Sequence, residues 1–159
     1  MKIPNREELD AIVKEARISK RLVRDLKYVP EEITHPSERD FLTVTTKSGK
    51  EGVFIFNDLI IQFTLDKRRP NAAGRVEAII CDICATWQRG TNSAVLTFKK
   101  SSTHTVSYLV CADLDCSLHI RDLTDASRLS RTQLRESITP EGRVVRLQGR
   151  LAKIFKELL

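Results

Sequence analysis

Two closely spaced pairs of cysteines constrain the fold of this 159-residue chain more than any other feature. All four cysteines of the chain fall in Cys81-Asp-Ile-Cys84 and Cys111-Ala-Asp-Leu-Asp-Cys116. A two-residue spacer lets two thiolates bind one ion, and the longer spacer suits one cysteine at the end of a strand and another in the first turn of a helix. Zinc binds four thiolates in a tetrahedron, with Zn–S distances of about 2.3 Å. We therefore predict one structural zinc ion held by Cys81, Cys84, Cys111 and Cys116.

The alternatives to zinc are two disulfides or four buried thiols, and the expected compartment argues against disulfides. The N-terminus has no apolar stretch typical of a signal peptide, and no run approaches the roughly 18 apolar residues of a transmembrane helix. We therefore expect a cytoplasmic protein with no membrane partner. In a reducing cytoplasm, paired cysteines bind metal more often than they form disulfides. His104 and His119 are alternative ligands, although four cysteines already make a complete set.

The sequence contains no recognisable catalytic motif. A zinc deaminase needs His-x-Glu ahead of Pro-Cys-x-x-Cys, whereas Ile79 and Ile80 precede Cys81 and no His-x-Glu exists. There is also no GxSxG, P-loop or GxGxxG motif. Four thiolates leave zinc no open position for water or substrate. We therefore predict that the protein is not an enzyme; an enzyme would require that one cysteine is not a ligand.

Residues 1–39 are predicted to form an N-terminal helical segment. Asn5 and Glu8 make a capping box for a first helix, and a second short helix begins at Ser19. The basic residues of these helices are predicted to form a solvated face, with a contact surface as the alternative. They are Lys14, Arg17, Lys20, Arg21, Arg24 and Lys27.

Residues 40–159 are predicted to form one α+β zinc-finger domain. Strands are predicted at 41–46, 52–56 and 59–63, because these three runs are rich in β-branched and aromatic residues. Short segments that suit turns separate the runs, so the strands are expected to form an antiparallel meander. The remaining predicted elements are a strand at 76–80, a turn at 86–90, a hairpin of 94–98 and 105–110, a helix capped by Asp113, a loop at 122–135 with some helix, and a terminal helix starting at Thr139-Pro140. A knuckle, a hairpin and a helix with the last ligand follow the order of a treble clef.

Two segments around the cysteines resemble a known family. Ile80–Cys84 and Tyr108–Arg121 are similar to the elongation factor G-binding proteins of the FusB/FBP type, whose four-cysteine treble clef has a Cys-Ala-Asp-Leu-x-Cys-Ser-Leu-like segment. The four cysteines match the ligands of that family one for one. Weaker similarity extends to Ile18–Lys20, Asp40–Leu42 and the stretch from Arg135 to Phe155. The chain departs from the family in its short N-terminal helical part and in the loop between the cysteine pairs.

The resemblance implies a monomeric, non-enzymatic zinc protein that binds elongation factor G, a translational GTPase, and modulates its conformation or its release from the ribosome. Because of the two departures, protection against fusidic acid is a weaker implication. The net charge of +6 leaves a second hypothesis, a zinc finger that binds the ribosome or its RNA. The candidate partner contacts are Trp87, Arg89, Phe98, Lys99, Lys100 and Arg121. For the aromatic candidates, the alternative role is packing in the core. For the lysines, the alternative is a solvated side chain without a partner.

Overall fold

The computed structural model describes residues 1–16 and 18–159, so that Arg17 of the predicted basic face lies outside the described residues. The N-terminal capping box is formed: the Asn5 side chain accepts the Glu8 amide, and the Glu8 carboxylate accepts the Asn5 amide, both at 2.8 Å. The helices and strands are, in chain order, α1 (Arg6–Glu15), α2 (Lys20–Asp25), β1 (Leu42–Thr45), β2 (Glu51–Phe56), β3 (Leu59–Lys67), β4 (Ile79–Ile80), β5 (Trp87–Gln88), β6 (Ser93–Lys99), β7 (Thr105–Cys111), α3 (Cys116–His119), α4 (Asp125–Gln133) and α5 (Pro140–Leu158).

The predicted meander and the predicted hairpin form one antiparallel sheet. Its strand order is β1-β2-β3-β6-β7, and β4 and β5 form a separate two-stranded ribbon at the zinc site. The joint between the two parts is β3, which continues to Lys67 and pairs with β6 at Phe63↔Phe98 and Leu65↔Leu96. The sequence predicted that this strand ends at Phe63, because the alternating pattern fades into the basic loop that follows.

Side chains alternate between the two faces of the sheet, and each face has its own cover. One face packs on α5 and the zinc region around Phe54, whose ring centre lies 4.5 Å from that of Phe41 and 5.6 Å from that of Phe155. The opposite face of β1 and β2 packs on α1 and α2. The buried residues of this second cluster are Leu9, Val13, Leu22, Leu26, Tyr28, Leu42, Val44, Val53 and Ile55.

The α+β fold with a four-cysteine treble clef is confirmed. The division at residue 39 stays a prediction, and the N-terminal helices pack directly on the sheet that follows. Among residues 1–16 and 18–159, no helix combines the length and the apolarity that crossing a membrane requires.

Three local predictions around the zinc site were wrong. The strand at 76–80 is only Ile79–Ile80, and the predicted turn at 86–90 includes β5, because the ribbon is held by the metal site rather than by a long ladder. The N-cap of α3 is Asp115 rather than Asp113. The segment at 122–135, predicted as a loop with some helix, does contain a helix: the nine-residue α4, whose N-terminus is closed by a capping box at Thr124.

Candidate metal centre

The four cysteine sulfurs lie at the spacing of a zinc tetrahedron. The Sγ–Sγ distances are 3.8 Å for Cys81–Cys116, 3.6 Å for Cys84–Cys111 and 3.8 Å for Cys111–Cys116. A tetrahedron with Zn–S distances of about 2.3 Å has edges of about 3.8 Å. These separations are nearly twice the roughly 2.05 Å of a disulfide. The cysteines are at most 1% exposed and form a single zinc site.

Local backbone geometry places each sulfur. Cys81 and Cys84 flank the turn of the ribbon, where the Ala85 amide donates to the Cys81 carbonyl at 2.8 Å and Ala85 has a φ of 58°. Cys111 ends β7 and Cys116 begins α3. Between them Leu114 has a φ of 56°, which turns the chain back toward the knuckle. The end of a strand, a left-handed turn and the start of a helix therefore bring the sulfur atoms to one point.

A hydroxyl group supports the sulfur of Cys84. The Thr86 Oγ1 atom lies 2.9 Å from the Cys84 Sγ atom, and it accepts a hydrogen bond from the Gln88 side-chain amide at 2.8 Å. Because the hydroxyl oxygen is engaged by Gln88, its hydrogen is free to donate to the sulfur. Such outer hydrogen bonds orient metal ligands and stabilise the thiolate.

Hydrogen bonds within the cluster shift the pKa values of its thiols in opposite directions. Burial acts to raise the pKa of Cys81, but hydrogen bonds from Cys111, Cys116 and Cys84 hold it well below its usual value. The pKa of Cys116 is raised well above its usual value by the hydrogen bonds it makes to Cys111, Cys81 and Cys84, and by burial. Zinc binding must therefore displace protons from the remaining thiols.

Neither candidate histidine joins the four sulfurs. His104 is exposed in the loop between β6 and β7. His119 is 1% exposed, and its ring atoms are engaged: Nδ1 lies 2.6 Å from Thr124 Oγ1, and Nε2 lies 3.1 Å from Asp113 Oδ1. Burial acts to raise the pKa of Asp113, but the hydrogen bond and charge of His119, together with hydrogen bonds from Asp115 and Asn92, lower that pKa overall. Although these two side chains and Cys111 Sγ lie within 4.8 Å of one another, their arrangement braces α3 against α4 beside the zinc site.

The candidate partner contacts do not form one surface. Trp87 is half-buried and Arg89 is exposed, and both line a cleft of about 390 Å³ that Leu129 of α4 also borders. Lys99 and Lys100 are exposed, but they lie at the far end of β6, about 20 Å along the strand from the zinc site.

Two of the candidates are engaged within the fold. Phe98 is 1% exposed, and its ring centre lies 6.0 Å from that of Phe54, so a surface role for Phe98 is not compatible with the fold. Arg121 is engaged by Asp40 and Glu38 at 2.6 Å and 3.2 Å. Its guanidinium joins α3 to the start of β1 instead of facing solvent.

Sequence reasoning missed Ile80 and Leu129 as neighbours of Trp87. Ile80 pairs with Trp87 across the ribbon and is 53% exposed. The alternating pattern of the ribbon could have identified Ile80, because directly opposed residues share a face. Leu129 could not be found in this way, since its place depends on how α4 packs.

The comparisons with known proteins agree with this geometry. A family model described as the FBP C-terminal treble-clef zinc-finger matches residues 30–158. No curated protein and no solved structure matches the chain. The FBP family is a family of non-catalytic zinc-finger proteins. With its ordered knuckle, hairpin and helix and with the family model covering most of its length, the chain belongs to the FusB/FBP family of treble-clef zinc-finger proteins.

Proposed function

We propose that the protein is a non-enzymatic binding module for elongation factor G and that it modulates the conformation of this GTPase or its release from the ribosome. Membership of the FusB/FBP family is the observation that carries this proposal. The proposal includes the four cysteines as the zinc ligands, a cytoplasmic location, a monomeric state and the division of the chain at residue 39.

The outward face of the zinc ribbon is the surface best suited to this partner. We define the ribbon face as Ile80, Trp87 and Arg89. Ile80 and Trp87 are directly opposed, while Ile79 and Gln88 point to the other side and are buried. The ribbon face therefore combines an exposed aliphatic side chain, an aromatic ring and a guanidinium. Aromatic and arginine anchors are enriched among the residues that dominate interface energies.

The ribbon face is held rigidly on three sides. Zinc fixes the turn of the ribbon, and the Trp87 amide donates to Ser130 Oγ of α4 at 2.9 Å. On the other edge, the Asp82 amide donates to the Leu109 carbonyl at 2.8 Å, which anchors the knuckle to β7. A surface that is already ordered loses little conformational entropy on binding.

A modulator acts only through unequal affinity for the states of its partner. Binding that favours one conformation of elongation factor G by about 1.4 kcal/mol changes the ratio of its states tenfold. The fixed shape of the ribbon face suits such discrimination, because it does not adapt to several conformations of the factor. Protection against fusidic acid would follow if the favoured conformation leaves the ribosome with the drug bound.

The test is binding of purified, zinc-loaded protein to purified elongation factor G at moderate salt after nuclease treatment. Substitutions Ile80→Glu and Arg89→Glu are expected to weaken binding at least about tenfold each, because residues that anchor an interface contribute about 2 kcal/mol or more. Val145→Glu is the matched control, since Val145 is 68% exposed on α5 and does not line the cleft beside Trp87 and Arg89. All variants must retain one zinc ion per chain.

The outcomes separate the two functions considered. Normal binding by both ribbon-face variants would place the interface elsewhere, and a Lys99→Glu variant then tests the hairpin tip. Absence of binding by the parent protein would refute the elongation factor proposal. In a pull-down, recovery of RNA-dependent partners alone would favour the second hypothesis, a zinc finger that binds the ribosome or its RNA. Translation assays with fusidic acid then test protection, and sedimentation tests the monomer.

A further inference from the structure

A concentration of positive charge lies outside the zinc ribbon, where α2 meets the turn between β1 and β2. A concave surface of about 420 Å³ is lined there by both segments. We call its cationic and hydroxyl residues the basic notch. These residues are Arg21, Arg24, Thr46, Lys47, Ser48 and Lys50.

The backbone fixes the two segments of the basic notch together. Leu26, which ends α2, forms an antiparallel bridge with Thr46, and the Lys27 amide donates to the Thr45 carbonyl at 2.9 Å. Leu22 and Leu26 are buried in the cluster beneath the notch. The cations therefore sit on a packed surface, and the short distance between helix and turn does not depend on flexible side chains.

The charges of the basic notch are only partly balanced. Arg21 pairs with Glu51 at 2.8 Å and Arg24 with Asp25 at 3.4 Å, and both arginine side chains remain more than 60% exposed. Exposed ion pairs of this kind contribute about 0–1 kcal/mol, so a phosphate can replace the carboxylates at little cost. Lys47 and Lys50 pair with no acid among the described residues. Four cations against two acids leave the surface positive.

The other polar groups of the basic notch suit phosphate oxygens. Thr46 Oγ1 and Ser48 Oγ lie 3.0 Å apart, and the Lys47 and Ser48 amides donate no hydrogen bond to any described residue. Lysine, arginine, hydroxyl and backbone amide groups are the usual donors to nucleic-acid phosphates. No aromatic side chain lines the notch, so it offers no platform for stacking an unpaired base.

We propose that the basic notch binds the phosphate backbone of a nucleic-acid duplex, independently of base sequence and separately from the ribbon face. The duplex is preferred to a single strand because recognition by phosphate contacts alone needs no unstacked base. Together with the protein surface of the ribbon face, the notch gives the chain two docking sites of different chemistry. Neither the zinc site nor the ribbon face supplies any residue of the notch.

The test is fluorescence anisotropy of the full-length, zinc-loaded protein with an RNA duplex, a DNA duplex of the same sequence and an RNA single strand, over a series of salt concentrations. The parent protein is expected to bind a duplex with an affinity that falls steeply with salt. The double variant Lys47→Glu/Lys50→Glu is expected to bind about 10- to 100-fold more weakly. The slope of log K against log salt should decrease by about 2, because two phosphate contacts are lost.

A charge-matched control separates the notch from the overall charge. The double variant Lys99→Glu/Lys100→Glu alters two exposed lysines at the end of β6, and each double variant lowers the net charge from +6 to +2. The control is expected to keep at least half of the duplex affinity. Equal loss in both variants, tighter binding to the single strand, or no duplex binding by the parent would overturn the proposal. Binding of elongation factor G by the notch variant distinguishes this result from failure of the proposed function.

Discussion

Replacing Arg121 by alanine should destabilise the fold strongly, although the sequence suggested a partner contact for this residue. Its guanidinium donates to both carboxylate oxygens of Asp40, at 2.6 Å and 3.2 Å, and to the Ser117 carbonyl at 2.9 Å. The Asp40 side chain is only 4% exposed, and its one further donor is the Gln148 side chain at 3.0 Å. This network ties the start of β1 to α3 and α5.

The expected magnitude follows from the burial of the carboxylate. Removing one partner of a buried ion pair costs about 3–5 kcal/mol, because the remaining charge stays in the interior without compensation. That loss is a large fraction of the roughly 5–15 kcal/mol that stabilises a typical domain. For a chain of this size, each kcal/mol lowers Tm by about 2–4 °C, so Arg121→Ala should lower Tm by about 6–20 °C.

The assay is urea and thermal unfolding of zinc-loaded protein, with Asp40→Ala and the double variant completing a mutant cycle. The double variant should lose less stability than the sum of the two single variants, because it leaves no uncompensated carboxylate in the interior. Arg121→Lys keeps the charge but not the two-pronged hydrogen bond, so it should lie between parent and alanine. A Tm for Arg121→Ala within about 2 °C of the parent, with zinc retained, would refute the buried network.

Further outcomes follow from other parts of the fold. Strong chelation under reducing conditions should abolish the cooperative melting of the zinc-finger part, and an unchanged melt would contradict a structural zinc. Zinc affinity should fall about tenfold or more per pH unit on acidification, measured by competition with a chelator, because raised thiol pKa values oppose deprotonation of Cys116. Gly52→Ala should cost about 1–3 kcal/mol, since a Cβ would lie 2.3 Å from the Val44 carbonyl oxygen; Gly149→Ala, with nothing within 4 Å, should instead stabilise α5 by about 1 kcal/mol. Tyr28→Phe should cost about 1 kcal/mol by removing the 2.5 Å hydrogen bond to the Pro4 carbonyl. Burial raises the pKa of Tyr28, so its contribution is complete below pH 10 and is lost as the pH rises through the folded-state pKa; parent and variant should therefore converge in alkaline urea melts.

The zinc site was predictable because its information is local and chemical. Two short spacings and the expectation of a reducing compartment were sufficient to predict Cys81, Cys84, Cys111 and Cys116 as the ligands, and no long-range contact had to be known. The capping box at Asn5 and the helix start at Thr139 were predictable for the same reason, since a cap depends on residues three positions apart. The apolar residues that the sequence places on one side of α1, α2 and α5 are the ones that pack on the sheet.

The surface around the site was less predictable, because exposure is a property of packing. Phe98 and Trp87 are both aromatic residues between the two cysteine pairs of the sequence, yet only Trp87 reaches the surface. The sheet register pairs Phe98 with Phe63 on the face that α5 covers, whereas Trp87 lies on a two-stranded ribbon whose outward side is open. No local pattern distinguishes these two environments.

The sequence by itself determined the metal, the order of the elements and the family to which the chain belongs. Only the tertiary structure decided what each element presents. It joined the meander to the hairpin through the last residues of β3, showed that Arg121 braces the buried Asp40, and brought Lys47 beside Arg24 across more than twenty intervening residues. The physical reason is that ligand spacing and helix caps act over a few residues, whereas burial and charge proximity depend on which distant segments share a face.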